Sequence, residues 1–336
     1  MKSLKHIACY FMALLITCGC IVSCKGQKTF GTQYLKLEKI IHLPYVKGRI
    51  DHLAIDLKDQ IAYVAALENN TVEVVDLKNE KIIHSIKNLH EPQGVIFIPE
   101  SNSIFVANGD NGECDVFDAG TFQKTTSIKL SDDADNVRYD TEKHLVYVGY
   151  GSGAIAIIDA KTMKEIASIK LDGHPESFQL SKKQNKIYIN VPDRDEIEVA
   201  DLSTHSVIAK WENTKTSSNF PMAMEEEHDR LFIGCRSPGT LRVINTENGK
   251  DISSMSCTGD ADDLFYDLND NLVFVSGGRG FIDVFEASDT LKHISHIATT
   301  SGARTSLLLS PQKTFLLAVP ARNGNSAALW IYKINK

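Results

Sequence analysis

The sequence lacks an excess of positive charge. Its 336 residues carry 36 Lys and Arg against 43 Asp and Glu, which gives a formal net charge of −7. A general nucleic-acid surface requires the opposite balance, because the phosphate backbone is bound mainly by Lys and Arg. We therefore expect no nucleic-acid partner, although a local basic patch is compatible with this charge.

Cysteine is scarce beyond the N-terminus. Of seven Cys residues only Cys24, Cys114, Cys235 and Cys257 follow residue 23, too few for a disulfide framework. Cys235 and Cys257 fall in one repeat, on its expected second and fourth strands. Strands two apart lie about 9.5 Å from each other, beyond disulfide reach unless the chain bends. We interpret Cys114, Cys235 and Cys257 as small apolar fillers, and whether Cys235 and Cys257 ever pair stays open.

The apolar run near the N-terminus is short for a membrane-spanning helix. The run Ile7–Val22 has 16 residues, against the ~20 that a span needs. It follows Lys2 and Lys5, as in an export signal. It ends in Ile21-Val22-Ser23-Cys24, which resembles the lipobox of bacterial lipoproteins, where the Cys is acylated.

We therefore predict a lipoprotein signal peptide over residues 1–23, lipidation of Cys24 and a short tether over 24–32. The mature protein would be exported and anchored to the membrane through its lipid, facing the periplasm or the cell surface. An ordinary signal peptide with a Cys near its end is the alternative.

Templates for catalysis and cofactor binding are also missing. The sequence has no GxSxG, no HExxH, no Gly-rich phosphate loop opening a helix and no CxxCH haem motif. Neither HxxxH nor CxxC spacing supports a metal site. We therefore predict no cofactor, with a divalent cation held by oxygen ligands as an open possibility. A Ser–His–acid triad stays open, because its members need not be adjacent in sequence.

An aromatic–aliphatic pair recurs seven times along the chain. It stands at Tyr63-Val64, Phe105-Val106, Tyr147-Val148, Tyr188-Ile189, Phe232-Ile233, Phe274-Val275 and, degenerately, Leu317-Ala318. Successive pairs are 42, 42, 41, 44, 42 and 43 residues apart. A constant period near forty indicates one supersecondary unit repeated in a closed or stacked array.

Each repeat reads as four antiparallel strands. In the first, short apolar or alternating segments at 52–55, 61–65, 71–76 and 81–86 are separated by turn residues. Four strands in about forty residues form a propeller blade. An Asp or Asn ends several third strands, and we expect these residues to close turns. They are Asp76, Asp118, Asp159, Asp201 and Asn245.

Strand counting predicts how the ring closes. The last repeat supplies strands at 306–309, 315–319 and 328–332, one short of a blade, whereas Tyr34–Ile41 is a spare strand at the start. The N-terminal strand should complete the last blade, which leaves no open edge. We predict an all-β, seven-bladed β-propeller over residues 33–336.

The second strands carry a family resemblance. Phe105-Val106-Ala107-Asn108, and more loosely Tyr63-Val64-Ala65-Ala66 and Tyr147-Val148-Gly149-Tyr150, resemble the Tyr-Val-Thr-Asn signature of YVTN/YncE-type seven-bladed propellers. The resemblance covers almost the entire mature chain. It implies the fold, and relatives by fold include bacterial lactonases, quinoprotein dehydrogenase subunits and the haem d1 domain of nitrite reductases. No activity transfers on fold alone.

The loop that enters each blade is polar, and all seven loops should meet over the central channel. Candidate ligand-binding residues in these loops are Asp51, His52, Glu91, Gln93, Asp135, Asn136, His174, Glu176, Asn219, Asp262 and Arg304. One interpretation is a ligand pocket at the top of the channel; the other is that these groups bind channel water and one another. Convergence of His52, Asp135, His174, Glu176 and Asp262 on one open pocket would favour the first.

Arginine is distributed unevenly between the blades. The loops between the second and third strands of blades four to seven carry Arg194, Arg236, Arg279 and Arg322, whereas the first two blades carry acids there. Arg presents a planar fork that suits carboxylate or phosphate. This pattern predicts a small anionic ligand held by Arg236, Arg279 and Arg304; solvated loop charge or pairing with nearby acids is the alternative.

These observations favour a non-enzymatic binding or scaffolding propeller at the cell envelope, with its ligand or protein partner at the top of the channel. A lactonase-like hydrolase using top-face His and carboxylates is one alternative. An accessory subunit of an exported redox enzyme is another, although no set of redox ligands is visible in the sequence.

Overall fold

The seven repeats fold into seven four-stranded antiparallel sheets arranged in a ring, which confirms the predicted seven-bladed β-propeller. The computed structural model describes residues 34–288 and 290–335. The predicted signal peptide, the tether and Cys24 lie outside these residues. Among the described residues there is no α-helix, and no helix long and apolar enough to cross a membrane.

Blades 1 to 4 follow one another in chain order. Their strands are β2 (Leu53–Asp56), β3 (Ile61–Ala66), β4 (Thr71–Asp76), β5 (Lys81–Ile86), β6 (Pro92–Ile98), β7 (Ser103–Asn108), β8 (Glu113–Asp118), β9 (Lys124–Lys129), β10 (Val137–Asp140), β11 (Leu145–Tyr150), β12 (Ala154–Asp159), β13 (Lys164–Lys170), β14 (Phe178–Ser181), β15 (Lys186–Val191), β16 (Glu196–Asp201) and β17 (Ser206–Glu212).

Blades 5 to 7 continue the same plan, with blade 7 completed from the N-terminus. Their strands are β18 (Ser217–Glu225), β19 (Arg230–Ser237), β20 (Gly239–Asn245), β21 (Asp251–Ser256), β22 (Ala261–Asp267), β23 (Leu272–Gly277), β24 (Phe281–Ala287), β25 (Leu291–Ala298), β26 (Ser306–Leu309), β27 (Thr314–Val319), β28 (Ala327–Ile334) and β1 (Leu35–Leu43). Single 3-10 turns lie at Leu67–Asn69, Pro99–Ser101, Pro192–Arg194 and Ser310–Gln312.

The predicted closure is confirmed. β1 pairs antiparallel with β28, from Leu35 opposite Ile334 to Leu43 opposite Ala327. The sheet of blade 7 therefore runs β1-β28-β27-β26 and contains both ends of the described chain. The strand bounds predicted for the first and last repeats agree with the structure within two residues.

The core consists of seven apolar clusters, each between two neighbouring blades. One cluster joins blade 7 to blade 1 through residues such as Ile41, Leu43, Val64 and Leu329, and the other six clusters join the remaining neighbours. The recurring aromatic–aliphatic pairs lie on the second strands, and all fourteen side chains are buried. They pack the blades against one another and are not placed for chemistry.

The acids that end the third strands close turns, as predicted. Asp159 is typical, because its Oδ1 accepts hydrogen bonds from the backbone N–H groups of Lys161 (3.1 Å) and Thr162 (2.7 Å). The same arrangement holds at Asp76, Asp118, Asp201 and Asn245.

The cysteines agree with the filler interpretation. Cys114, Cys235 and Cys257 are all free thiols, the first two buried and Cys257 half-buried. Cys257 follows β21 directly, two strands away from Cys235 on β19, as the sequence predicted.

The innermost strand of every blade lines a central channel of about 450 Å³. Its upper end is formed by the entry loops, which we call the top face. The fold therefore brings seven separate loops, far apart in sequence, to one opening.

Candidate functional site

A polar cavity lies in the top face, where the channel opens. It encloses about 170 Å³, the share of roughly five or six water molecules at ~30 Å³ each. Pockets for drug-sized molecules take about 300–1,000 Å³, so this one suits a small ligand. Twelve side chains line it: Arg49, Asp51, His52, Gln93, Asp133, Asp135, His174, Glu176, Phe220, Arg236, Asp262 and Arg304.

Nine of the predicted ligand-binding residues line this cavity. They are Asp51, His52, Gln93, Asp135, His174, Glu176, Arg236, Asp262 and Arg304. Among them are His52, Asp135, His174, Glu176 and Asp262, the five residues whose convergence on one pocket was expected to favour ligand binding. These side chains therefore converge on one cavity at the top of the channel.

Four predicted residues do not line the cavity. Glu91 is exposed, and Arg279 is exposed on the loop after β23. Asn136 and Asn219 are buried. The Asn219 side chain donates hydrogen bonds to Asn190 Oδ1 and to the Glu196 carbonyl, both at 2.9 Å, so it serves the packing of blades 4 and 5.

Three lining residues were missed as individual candidates. Asp133 lies in an entry loop and Phe220 near the start of β18, and neighbours of both were selected. Arg49 precedes Asp51 by two residues, so in an extended segment the two side chains share a face, and its guanidinium reaches Asp51 Oδ2 at 2.7 Å. This two-residue spacing was the sequence feature that could have identified Arg49 as a residue of the site.

The arginines of the cavity are paired with acids. The Arg304 side chain contacts Asp260 Oδ1 at 2.9 Å and Asp262 Oδ2 at 2.7 Å. Arg236 donates to Asp262 and to the Ala261 carbonyl, and its guanidinium stacks 3.4 Å above the centre of the Phe220 ring. These contacts fix the guanidiniums on one side of the cavity and occupy most of their donors.

His52 lies between two carboxylates. Its Nδ1 is 3.4 Å from Asp263 Oδ1 and its Nε2 is 3.6 Å from Asp51 Oδ1. Burial opposes protonation of the imidazole, but the charges of Asp263 and Asp51 outweigh it and raise the pKa of His52 to about 10. His52 is therefore a fixed cation at neutral pH.

His174 is oriented by a backbone carbonyl. Its Nδ1 lies 2.6 Å from the oxygen of Gly151, and since a carbonyl only accepts, Nδ1 carries the proton. Its Nε2 points to the cavity, 3.9 Å from Asp135 Oδ2. Burial lowers the pKa of His174, but the contacts with Asp135 and Gly151 outweigh it and raise the pKa to about 9.

The carboxyl groups differ in how their charges are compensated. Burial raises the pKa of Asp51 to about 6 despite the nearby His52 and Arg49. Asp135 is buried too, but the nearby His174 and the charge of His52 lower its pKa. Glu176 is the contrasting case, because burial and the charges of Asp135 and Asp262 raise its pKa well above the ordinary value.

Within the described part of the chain, the Glu176 side chain forms no hydrogen bond or ion pair. It nevertheless lies close to two other possible ligands. One atom from each of Asp135, His174 and Glu176 falls within 4.8 Å of the others, a separation at which one metal ion could bind all three.

Acids outnumber arginines at this opening. Seven carboxyl groups belong to Asp51, Asp133, Asp135, Glu176, Asp260, Asp262 and Asp263. Against them stand Arg49, Arg236 and Arg304, with Arg138 deeper in the channel. Burial and neighbouring acids raise the pKa of Glu176, and contacts with acids raise the pKa of both histidines. The excess of acids therefore favours the protonated forms of these three side chains.

The remaining loop arginines lie outside the cavity. Arg194 donates to the Asp172 carbonyl at 3.0 Å, and Arg322 donates to Ser301 at 2.7 Å. Only Arg236 and Arg304, of the arginines noted in the sequence, reach the cavity.

No family model matches the chain, and no curated protein matches it. Its fold does match 1779 chains of solved structures, a number too large to indicate one function. One of them, from "Crystal Structure of Mitotic Checkpoint Complex", superposes with a TM-score of 0.75 at 13% sequence identity. The match covers 97% of this chain and 99% of that one. At this identity the similarity shows the seven-bladed propeller fold alone.

Proposed function

We propose that this protein is a non-enzymatic binding propeller that holds a divalent cation at the top of its central channel. The observation that carries the proposal is the grouping of Asp135, His174 and Glu176 on one side of the cavity. Propellers are in general binding and scaffolding modules, so this function is in keeping with the fold.

The orientation of His174 supports a metal ligand. A ligating imidazole usually donates its other ring N–H to a carbonyl or carboxylate, which fixes the tautomer. The bond from Nδ1 to Gly151 does this and leaves Nε2 facing the cavity. Carboxylate oxygens from Asp135 and Glu176 would complete a set of hard and borderline donors that suits Mn²⁺.

The charge balance of the cavity supports a double positive charge. With an ion bound, Glu176 would be ionised and His174 neutral, because metal ligands must be deprotonated. A divalent ion would then offset part of the excess of carboxyl groups over arginines in the cavity. A small anion, by contrast, would have to displace Asp260 or Asp262 from Arg236 and Arg304.

The hydrolase alternative is less well supported by the same geometry. A histidine that acts as general base must be unprotonated at the working pH, whereas the pKa of both cavity histidines is raised, to about 10 and about 9, so a hydrolase would depend on the carboxylates alone. A binding role requires no such proton acceptor.

The proposal extends to location and family. A YVTN/YncE-type lipoprotein at the cell envelope would carry its lipid on Cys24. The described chain begins at Tyr34, next to β1 on the outer edge of blade 7.

Manganese binding tests the proposal. The full-length chain, titrated with Mn²⁺ at pH 7.5 and followed by electron paramagnetic resonance of the free ion, should bind one equivalent at the top face. Glu176→Gln should weaken that binding by at least about 10-fold, because it removes a charged ligand. Glu91→Gln, an exposed entry-loop residue outside the cavity, is the matched control and should bind as the wild type does. Equal binding by wild type and Glu176→Gln, or none by either, would overturn the proposal.

A further inference from the structure

A second cluster of possible metal ligands lies on the outer part of blade 6, away from the top-face cavity. Asp283 is on β24, and His293 and His296 are on the neighbouring strand β25. The His293 Nε2 atom lies 2.8 Å from Asp283 Oδ1, and the His296 Nδ1 atom lies 2.5 Å from the same oxygen. Two imidazoles therefore converge on one buried carboxylate.

A β-bulge places both histidines on the same face. Residues three apart on a regular strand point to opposite faces of the sheet. Here Asp283 is opposite His296 and Phe285 is opposite His293, and the register shifts by one residue between these pairs. Because β25 has one extra residue here, His293 and His296 point to the same face although they are three residues apart.

The three side chains are held in place by their neighbours. Phe281 stacks on His296 with ring centres 4.1 Å apart, and Phe285 stacks on His293 at 4.7 Å. The second oxygen of Asp283 accepts a hydrogen bond of 2.5 Å from the Thr258 backbone N–H. This second contact orients the carboxylate in the way that outer-shell groups orient metal ligands.

In other blades, the residue at the position of Asp283 has different partners. The third strands of blades 1, 2, 4 and 5 also bury one charged residue opposite the fourth strand. In blade 1, Glu73 accepts hydrogen bonds from the hydroxyls of Thr71 and Ser85. Asp115 is paired with Lys124 and Ser127, Glu198 accepts from the Asp172 backbone, and Arg242 contacts Asp251. Within the described residues, blade 6 is the blade that supplies two imidazoles at this point.

We propose that Asp283, His293 and His296 form a site for a borderline divalent transition metal, with Zn²⁺ as its representative. One ligand atom from each lies within 4.8 Å of the other two. Two histidine nitrogens and one carboxylate oxygen are ligands that zinc prefers, whereas Ca²⁺ and Mg²⁺ prefer oxygen alone. The side chains of His293 and His296 are 23% and 36% exposed, which leaves an open side for a water molecule as fourth ligand.

Entry of the ion requires a small outward movement. Two ligands of one tetrahedral zinc ion lie about 3.3 Å apart, given metal–ligand bonds of about 2.0–2.1 Å. The present nitrogen–oxygen distances are 2.8 and 2.5 Å. Partly exposed histidines on an outer strand can move by the remaining fraction of an ångström without disturbing the buried core.

Zinc stoichiometry tests the site. The full-length chain, purified without a polyhistidine tag, is dialysed against buffered Zn²⁺ at pH 7.5, and bound metal is measured by elemental analysis. We expect His293→Gln/His296→Gln to bind one equivalent less than wild type. His84→Gln is the matched control, because His84 also lies on a fourth strand and stacks on a phenylalanine, Phe122 at 4.5 Å, and it should bind as much as wild type.

The test separates this site from the top-face cavity. Glu176→Gln should keep the blade 6 equivalent, and the double histidine variant should keep Mn²⁺ binding. If the double variant fails to fold, His296→Gln alone replaces it, with an expected loss in affinity of at least about 100-fold, the upper end of what losing an outer-shell group costs. Unchanged stoichiometry and affinity in a folded histidine variant would overturn the proposal.

Discussion

At the scale of single residues, the cavity shows how burial and charge compete at one side chain. His52 is largely buried, a condition that alone would favour the neutral imidazole. Asp263 and Asp51 on either side of it reverse that preference. Glu176 shows the opposite balance, because burial and the charges of Asp135 and Asp262 raise its pKa. One cavity therefore contains both a stabilised cation and an unfavourable carboxylate.

His52 should therefore titrate far above a free imidazole. Its folded-state pKa of about 10 exceeds the ordinary value near 6.5, so its contribution to stability is fully present below about pH 6.5 and is lost as the pH rises through 10. We expect the free energy of unfolding lost in His52→Gln to be largest near pH 6 and to shrink steadily towards pH 10. Denaturant unfolding of both proteins across this range measures the difference.

The histidine titration has a direct check. The ring carbon signal of His52 in nuclear magnetic resonance should keep its protonated shift at pH 8. A midpoint near 6.5, together with a pH-independent stability difference, would show that the two carboxylates do not hold the proton.

At the scale of strands, polar side chains attach neighbouring blades to each other. Asn219 on β18 donates to Asn190 on β15 and to the backbone of β16. These bonds hold β18 beside blade 4, and β18 also carries Phe220, on whose ring Arg236 stacks. Asn219 was predicted to bind a ligand. It does not line the cavity, and its hydrogen bonds hold β18 against blade 4.

Substitution of Asn219 should weaken the fold without removing a cavity ligand. Asn219→Ala leaves two buried acceptors without donors, each worth about 1–3 kcal/mol when unsatisfied. We expect unfolding in urea to show a loss within roughly that range. Asn219→Asp should cost more, because it places a carboxylate against the same two oxygens. A change below about 0.5 kcal/mol in both variants would contradict this role.

The sequence contained enough information for the strands because their pattern is local. Tyr63-Val64 and its six counterparts mark second strands, and turn residues such as Asp159 delimit the third. Entry-loop residues such as His174 and Glu176 could be assigned to one face by counting from these markers. The ring closure then determined that all seven entry loops meet.

The details of the site were not accessible in the same way. Whether Arg279 or Arg236 reaches the axis depends on the path of each loop, and nothing in the spacing of either residue separates them. The bulge that aligns His293 with His296 leaves no signature in a strand sequence. Nor does sequence show that Asp260 and Asp262 already occupy the arginines that were expected to hold an anion.

At the scale of the whole molecule, stability depends on joining the two ends of the chain. β1 and β28 complete blade 7, and the cluster containing Ile41 and Leu43 packs that blade against blade 1. Loss of this contact would open the ring and expose a strand edge. The top-face cavity, to which loops of blades 1 and 7 contribute, depends on the same closure.

Leu43→Ala should therefore destabilise the entire ring. The side chain is fully buried, and such truncations cost about 2–5 kcal/mol. Leu37→Ala on the same strand is the control, since Leu37 is 37% exposed and should change stability by no more than about 0.5 kcal/mol. Thermal unfolding followed by circular dichroism compares the two. Equal, small effects would show that the seam between blades 7 and 1 carries little of the stability.

Anomalous diffraction from a crystal soaked in Mn²⁺ tests the central claim most directly. A divalent-cation site at the top of the channel predicts a manganese peak bounded by Asp135, His174 and Glu176, and its disappearance in Glu176→Gln crystals treated in the same way. No peak there in wild-type crystals, or a peak that persists unchanged in Glu176→Gln, would contradict the claim that this cavity is a cation-binding site.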